Sequence, residues 1–88
     1  MKSSRRRTKL EIYVSILRSL LKSKARAVHV MYRANLSFIQ ARSCLDFLVK
    51  KGLIEKEEEE KIVVYKITKK GKEFLENYKK IEKAIAES

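Results

Sequence analysis

Eighty-eight residues, 44% of them apolar, suffice for one small core, leave no room for a second, and are too hydrophobic for a disordered tail. One cysteine, Cys44, and one histidine, His29, exclude a disulfide framework and imply no metal cluster, and the single thiol suits a reducing compartment. What remains is charge: 22 Lys and Arg against 11 Asp and Glu give a net of +11, and a domain that basic is expected to meet a polyanion.

The apolar runs are only a few residues long, too short to span a bilayer. The basic start leads into an amphipathic segment rather than a signal-peptide pattern, so a cytoplasmic location is expected. Fifteen Lys and ten Glu beside one Gln, two Asn and no Pro resemble the composition of a thermophile, although charged helical surfaces give the same bias.

The charge is unevenly placed. Residues 1–51 hold 13 Lys and Arg and only two acids, Glu11 and Asp46, whereas residues 52–88 hold nine Lys and nine Glu. The entire excess therefore lies in the first half, as expected of a binding face or arm. Lys2, Arg5, Arg6, Arg7 and Lys9 crowd the first nine residues with no acid among them. They predict a flexible arm over residues 1–8 that can follow phosphates or enter a minor groove; a solvated tail is the plain alternative.

Leu10, Tyr13, Val14, Ile16, Leu17, Leu20 and Leu21 recur at three- and four-residue spacing and predict an amphipathic helix over 9–22. Ser23 and Lys24 interrupt it, and a short second helix is expected over 25–34, with Asn35 in the left-handed conformation at its end. Ser37-Phe38-Ile39-Gln40 has the form of a capping box, with Leu36 as staple, opening a third helix over 38–51 that stops at Gly52. Two short helices joined by Asn35-Leu36-Ser37 fit a helix-turn-helix.

Residues 53–57 and 62–67 are expected to be strands around an acidic tip, Glu55 to Lys61, and Thr68 to cap a last helix over 69–87. The predicted class is mainly α with a small β-hairpin: a winged helix-turn-helix over 9–71, then residues 72–88 as a C-terminal helix. Its seam of Phe74, Tyr78, Ile81 and Ile85, spaced 4, 3 and 4, is partly core and otherwise suits pairing with a second copy as a homodimer.

On the third helix Phe38, Ala41, Cys44, Leu45, Leu48 and Val49 share an inward face. Ile39, Ser43, Asp46 and Lys50 face outward, flanked by Gln40, Arg42 and Phe47. The second helix of a helix-turn-helix reads base edges in the major groove. There Gln40 can pair with adenine, Arg42 with guanine or a phosphate, Ser43 with base or backbone, and Ile39 with a thymine methyl. Each has a bland counterpart: Gln40 spent in the cap, Arg42 solvated, Ile39 simply surface. The acidic tip should avoid phosphates, by pointing away, by meeting a basic surface of another protomer, or as a plain solvated turn.

Lys9-Leu10-Glu11-Ile12, Val30-Met31-Tyr32-Arg33-Ala34-Asn35-Leu36-Ser37-Phe38 and Ile67-Thr68-Lys69-Lys70-Gly71 resemble the archaeal winged-helix family typified by the Sulfolobus 10a DNA-binding protein. The likeness covers about residues 9–78. It implies a double-stranded-DNA-binding homodimer joined through C-terminal helices, in a transcription-regulating or nucleoid-associated role. The chain departs from that family in having Ile39 and Ser43 where recognition helices are commonly basic, Cys44 where an aromatic is frequent, an acidic wing and a short last helix. The departures shift the expected DNA contacts towards the arm (Arg5, Arg6, Arg7), Arg33, Arg42 and Lys50, with Ser37 at the turn.

No catalytic constellation, glycine-rich phosphate loop or cofactor motif is present, so an enzyme is not expected and neither metal nor cofactor is implied. Cys44 is expected as an inert core thiol, a redox switch being the sharper alternative. The second functional class is an interaction module in which the winged helix docks protein through Ile39 and Phe47 while the arm binds RNA or an acidic partner.

Overall fold

The helical segments start and stop at residues that satisfy their own backbone groups. A computed structural model describes residues 7–87, so Arg5 and Arg6 of the arm lie outside the described residues. The order is α1 (Lys9–Lys22), α2 (Ala27–Ala34), α3 (Phe38–Lys50), β1 (Ile54–Glu59), β2 (Ile62–Ile67) and α4 (Lys69–Ala86). This is the mainly helical winged helix-turn-helix expected from the pattern.

Thr8 opens α1 with a capping box: its hydroxyl accepts from the Glu11 amide at 3.0 Å, and its own amide donates to Glu11 Oε1 at 2.8 Å. Thr8 thus belongs to the folded unit rather than to the arm. Asn35 closes α2 in the left-handed region (φ 57°), and the Leu36 amide donates back to the Met31 carbonyl at 2.9 Å. Gly52 does the same for α3 at φ +76°, with Gly52 N to Val49 O and Leu53 N to Leu48 O both 3.0 Å. The sharp turn from α2 to α3, and from α3 into the wing, thus has a residue able to hold positive φ.

The core is built from one face of each element. Ile16, Leu17, Val30, Leu45, Leu48 and Ile54 are the largest side chains with under 2% of their surface exposed. Each such aliphatic burial contributes about 1.5–3 kcal/mol. Phe38, expected on the inward face of α3, is instead 50% exposed, because it occupies the first turn at the rim, where the Arg42 guanidinium lies 6.0 Å from its ring centroid.

The wing differs from expectation in two ways. β1 and β2 pair antiparallel from Ile54↔Ile67 to Glu59↔Ile62, so Glu55 to Glu59 are strand rather than tip. The turn is only Glu60 and Lys61, both at positive φ (47° and 72°), the two-residue geometry that follows the twist of the strands. Neither residue is a glycine, which costs about 1–2 kcal/mol apiece and hides the turn from a sequence scan. The expected start of the second helix is also corrected. Ala25 is extended and bridges Tyr65, donating to its carbonyl at 3.0 Å and accepting from its amide at 2.8 Å, so the loop after α1 adds a one-residue third strand and α2 begins at Ala27. Alanine's helix propensity concealed a pairing made only in the tertiary structure.

α3, wing and α4 meet at one joint. The Thr68 hydroxyl accepts from the Gly71 amide at 3.1 Å and donates to the Gly52 carbonyl at 2.7 Å, while the Thr68 amide donates to the Leu53 carbonyl at 3.1 Å. Lys70 Nζ donates to the Lys51 carbonyl at 2.9 Å, satisfying the C-terminal end of α3. Gly71 is buried, and a Cβ there would collide with the Leu53 carbonyl oxygen and lie 2.6 Å from Ile67 Cγ1. Gly71→Ala should therefore lower unfolding stability by about 1–3 kcal/mol, since overpacking against backbone outweighs the helix propensity of alanine. Urea denaturation beside Lys72→Ala measures it; equal midpoints for the two variants would contradict the close approach.

Candidate nucleic-acid interface

Ser37 and Gln40 form the predicted box. The Ser37 hydroxyl accepts from the Gln40 amide at 3.1 Å, and Gln40 Oε1 accepts from the Ser37 amide at 3.0 Å. The cap orients the first turn of α3 and occupies one face of the Gln40 amide group. From that turn Ile39, 80% exposed, begins an outward row continued by the exposed Ser43, Asp46 and Lys50. Steps of three, four and seven residues keep this row within about 60° on the helix surface.

The two flanks of the row are held differently. Arg42 lies on the side of the wing, where it and Asp46 exert opposite electrostatic effects on Tyr65; burial of the Tyr65 ring is the main reason its hydroxyl titrates above the ordinary value. On the other flank Phe47 stacks on Tyr13 of α1 with centroids 4.8 Å apart and planes 13° from parallel, and Lys51 Nζ lies 5.5 Å from the Phe47 centroid. Cys44 is half-buried beneath this flank. Desolvation raises its pKa, with Lys9 opposing, which keeps the thiol protonated and favours the inert role over the redox one.

The other predicted residues scatter. Arg7 reaches the helix-turn-helix, its Nη2 donating to the Asn35 carbonyl at 3.1 Å, so the root of the arm lies beside the entry to α3. Arg33 does not join the α3 row: its Nη1 donates to the Ser19 carbonyl of α1 at 3.2 Å. Phe74 and Tyr78 are half-buried against the chain's own core, whereas Ile81 and Ile85 are 58% and 70% exposed. Tyr32, on the outer surface of α2 and 73% exposed, had no signal in the apolar spacing. No group of three or more His, Cys, Asp or Glu among the described residues is placed to hold a metal, and no described helix is long and apolar enough to cross a membrane.

The wing carries an ion-pair network that the linear sequence does not show. Glu55, Glu57 and Glu59 share one face of β1 by strand alternation. Lys66 lies 2.9 Å from Glu57 and 3.8 Å from Glu55, and Lys24, from the loop after α1, lies 2.6 Å from Glu59 and 3.7 Å from Glu57. The hydrogen bond from Lys66 is the main cause that holds Glu57 below the ordinary 4.5, while Lys24 and Lys66 are raised above 10.5, chiefly by hydrogen bonds to Glu59 and Glu57 respectively. A depressed carboxylate stabilises the fold above its unfolded pKa and loses that effect as pH falls through the folded one; the raised lysines act below 10.5 and lose theirs as pH rises through their folded values. An NMR titration should find the Glu57 carboxylate midpoint below 4.5, returning towards it in Lys66→Ala; a wild-type midpoint at or above 4.5 would show that the pair does not form in solution.

A family model for the winged helix-turn-helix matches residues 6–86. Among solved structures, Sso10a-2, a DNA-binding protein from Sulfolobus solfataricus, is 32% identical with a TM-score of 0.74, over 92% of this chain and 87% of that one. The transcriptional regulator BldR from the same organism is 23% identical with a TM-score of 0.76, over 85% of this chain and 56% of its own. A PadR family transcription regulator from Clostridium difficile is 21% identical with a TM-score of 0.80, over 86% and 91%. At those identities the latter two share the fold alone. All three are DNA-binding or transcription-regulating proteins rather than enzymes. No curated protein matches the chain by sequence.

Proposed function

Because the chain belongs to the winged helix-turn-helix family, we propose that it binds double-stranded DNA as a homodimer, acting as a transcription regulator or a nucleoid-associated protein of a thermophilic archaeon. The observation that carries this reading is the exposed row Ile39, Ser43 and Lys50 on a helix whose two ends are both capped. Such a helix is about 10–12 Å across, the width of the major groove. Ile39 and Ser43 stand near its N-terminal end, where base edges are reached, and Lys50 near its far end, where phosphates pass.

Arg42 supplies a guanine or phosphate contact by leaving the Phe38 ring. Gln40 Oε1 is engaged in the cap, so pairing with both polar edges of adenine would require the box to open; Gln40 acts first by positioning the turn. The Ser37 hydroxyl accepts within the box and keeps its own proton to donate to a phosphate. Arg7 lies beside this turn, its guanidinium on the Asn35 carbonyl, and Arg5 and Arg6 are proposed as further phosphate contacts. The acidic face of the wing stays off the duplex. A protein-docking role through Ile39 and Phe47 has less support, because Phe47 is stacked on Tyr13.

Binding to random duplex should fall steeply with salt, and Arg42→Ala/Lys50→Ala should reduce the slope of log affinity against log salt by up to about two units. Salt-independent binding, or an unchanged slope in the variant, would contradict the proposal. In the same assay a preference of roughly a thousandfold for one site marks a regulator, and a weaker one an architectural protein.

Self-association is assigned to the far half of α4. Tyr78 spends its ring partly on the core and on Arg18, whose guanidinium is 5.9 Å from its centroid, whereas Ile81 and Ile85 present apolar surface beyond it. Paired α4 helices would hold two copies of α3 for half-sites about 34 Å apart. Sedimentation should find wild type dimeric and Ile81→Glu monomeric with unchanged helix content; a monomeric wild type at micromolar concentration would refute the dimer.

A further inference from the structure

The positive charge does not concentrate on the recognition helix. The outward surface of α3 offers Arg42 and Lys50 but also Asp46. A second basic surface exists where α1 meets α2: an open groove of about 570 Å³ lined by Ser15, Arg18, Ser19, Lys22, Ser23 and Arg33. Three cations and three serines line it, with no carboxylate.

The groove's construction follows from helix spacing. Ser15, Ser19 and Ser23 recur every four residues along one side of α1 and its C-cap, with Arg18 and Lys22 beside them. Arg33 closes the other wall. One of its donors holds the Ser19 carbonyl, which fixes the guanidinium at the mouth and leaves its remaining donors for a ligand. Arg18 is shared with Glu82 at 3.0 Å, so Lys22 and Arg33 carry most of the available charge. The Ser19 hydroxyl donates to the Ile16 carbonyl at 2.8 Å, which makes it a wall rather than a donor to ligand.

Its orientation separates it from α3. Tyr13 marks the side of α1 that faces α3 through its stack on Phe47. At 3.6 residues per turn, Ser15, Ser19 and Lys22 lie roughly 120° to 180° around α1 from Tyr13. The groove therefore opens away from the recognition surface.

We infer that this groove between α1 and α2 is a second phosphate-binding surface, which takes nucleic-acid backbone while α3 occupies a major groove. The inference rests on the proposed duplex binding and extends it to a face that the helix-turn-helix does not use. Compact ammonium and planar guanidinium groups flanked by hydroxyls recognise phosphodiester oxygens without reading sequence. Arg33, expected among the DNA contacts, thus makes its contact from the α1–α2 groove.

The test compares wild type, Lys22→Ala/Arg33→Ala, Arg42→Ala/Lys50→Ala and the charge-matched control Lys69→Ala/Lys72→Ala, in the first turn of α4, on a random-sequence duplex across a salt series. Thermal melting verifies that each variant is folded. The groove variant should lower the salt slope by about two units, with preference among duplex sequences unchanged, and the α4 control should leave the slope as in wild type. Amide NMR shifts on adding duplex should map to Ser19, Lys22, Ser23 and Arg33 as well as to α3, and those at the groove should persist in Arg42→Ala/Lys50→Ala. A wild-type slope in the groove variant, an equal loss in the α4 control, or shifts confined to α3 would overturn the second surface while leaving duplex binding through α3 intact. Failure of wild type to bind duplex at all would overturn both.

Discussion

The interaction on which the remaining architecture depends is the hydroxyl of Thr68, caught between the Gly71 amide and the Gly52 carbonyl. One oxygen caps α4 and, through its proton, holds the turn that ends α3; the neighbouring amide bonds to Leu53 at the root of the wing. The end of α3, the root of the wing and the start of α4 are thereby fixed at one point, where no side chain fits at Gly71. Because α3 carries the proposed recognition surface and α4 the proposed dimer contact, this joint sets the angle between reading and pairing. A loose joint would spread the distance between two recognition helices over several ångströms, and half-site spacing is a geometric requirement.

The positive charge is not gathered on one face. The first nine residues hold five cations and no acid in sequence, the α3 row contributes few, and the α1–α2 groove is lined by three cations, of which Arg18 is paired with Glu82. The wing, in contrast, folds Glu55, Glu57 and Glu59 against Lys24 and Lys66. Lys24 belongs to the basic half of the chain, yet its ammonium is paired at the surface with Glu59 and Glu57 of the wing. A net charge of +11 therefore overstates what a polyanion meets on any one face.

Much of the helix-turn-helix was legible residue by residue. Asn35 and Gly52 announce left-handed helix ends, and the Ser37–Gln40 box announces the start of α3, because each of these signals acts within a few residues. The limits of α1 and β2 follow from hydrophobic period for the same reason. Three features were not legible. Ala25 pairs with Tyr65 across forty residues of chain, the Glu60–Lys61 turn lacks a glycine, and Phe38 sits just beyond the core that its helical phase predicts. Arg33 was legible as a cation but not in its direction, which depends on how α2 packs on α1.

The sequence by itself determined the order of elements, the capped third helix and the confinement of excess charge to the first half, since caps, periodicity and composition are local properties. Only the tertiary structure decided which cations face outward together. It turned Arg33 to α1, drew Lys24 to the wing and left Ile81 and Ile85 beyond the core while burying part of Phe74 and Tyr78. The physical reason is that a charge or apolar group acts through its neighbours within a few ångströms, and those neighbours are set by packing between elements rather than by position along the chain.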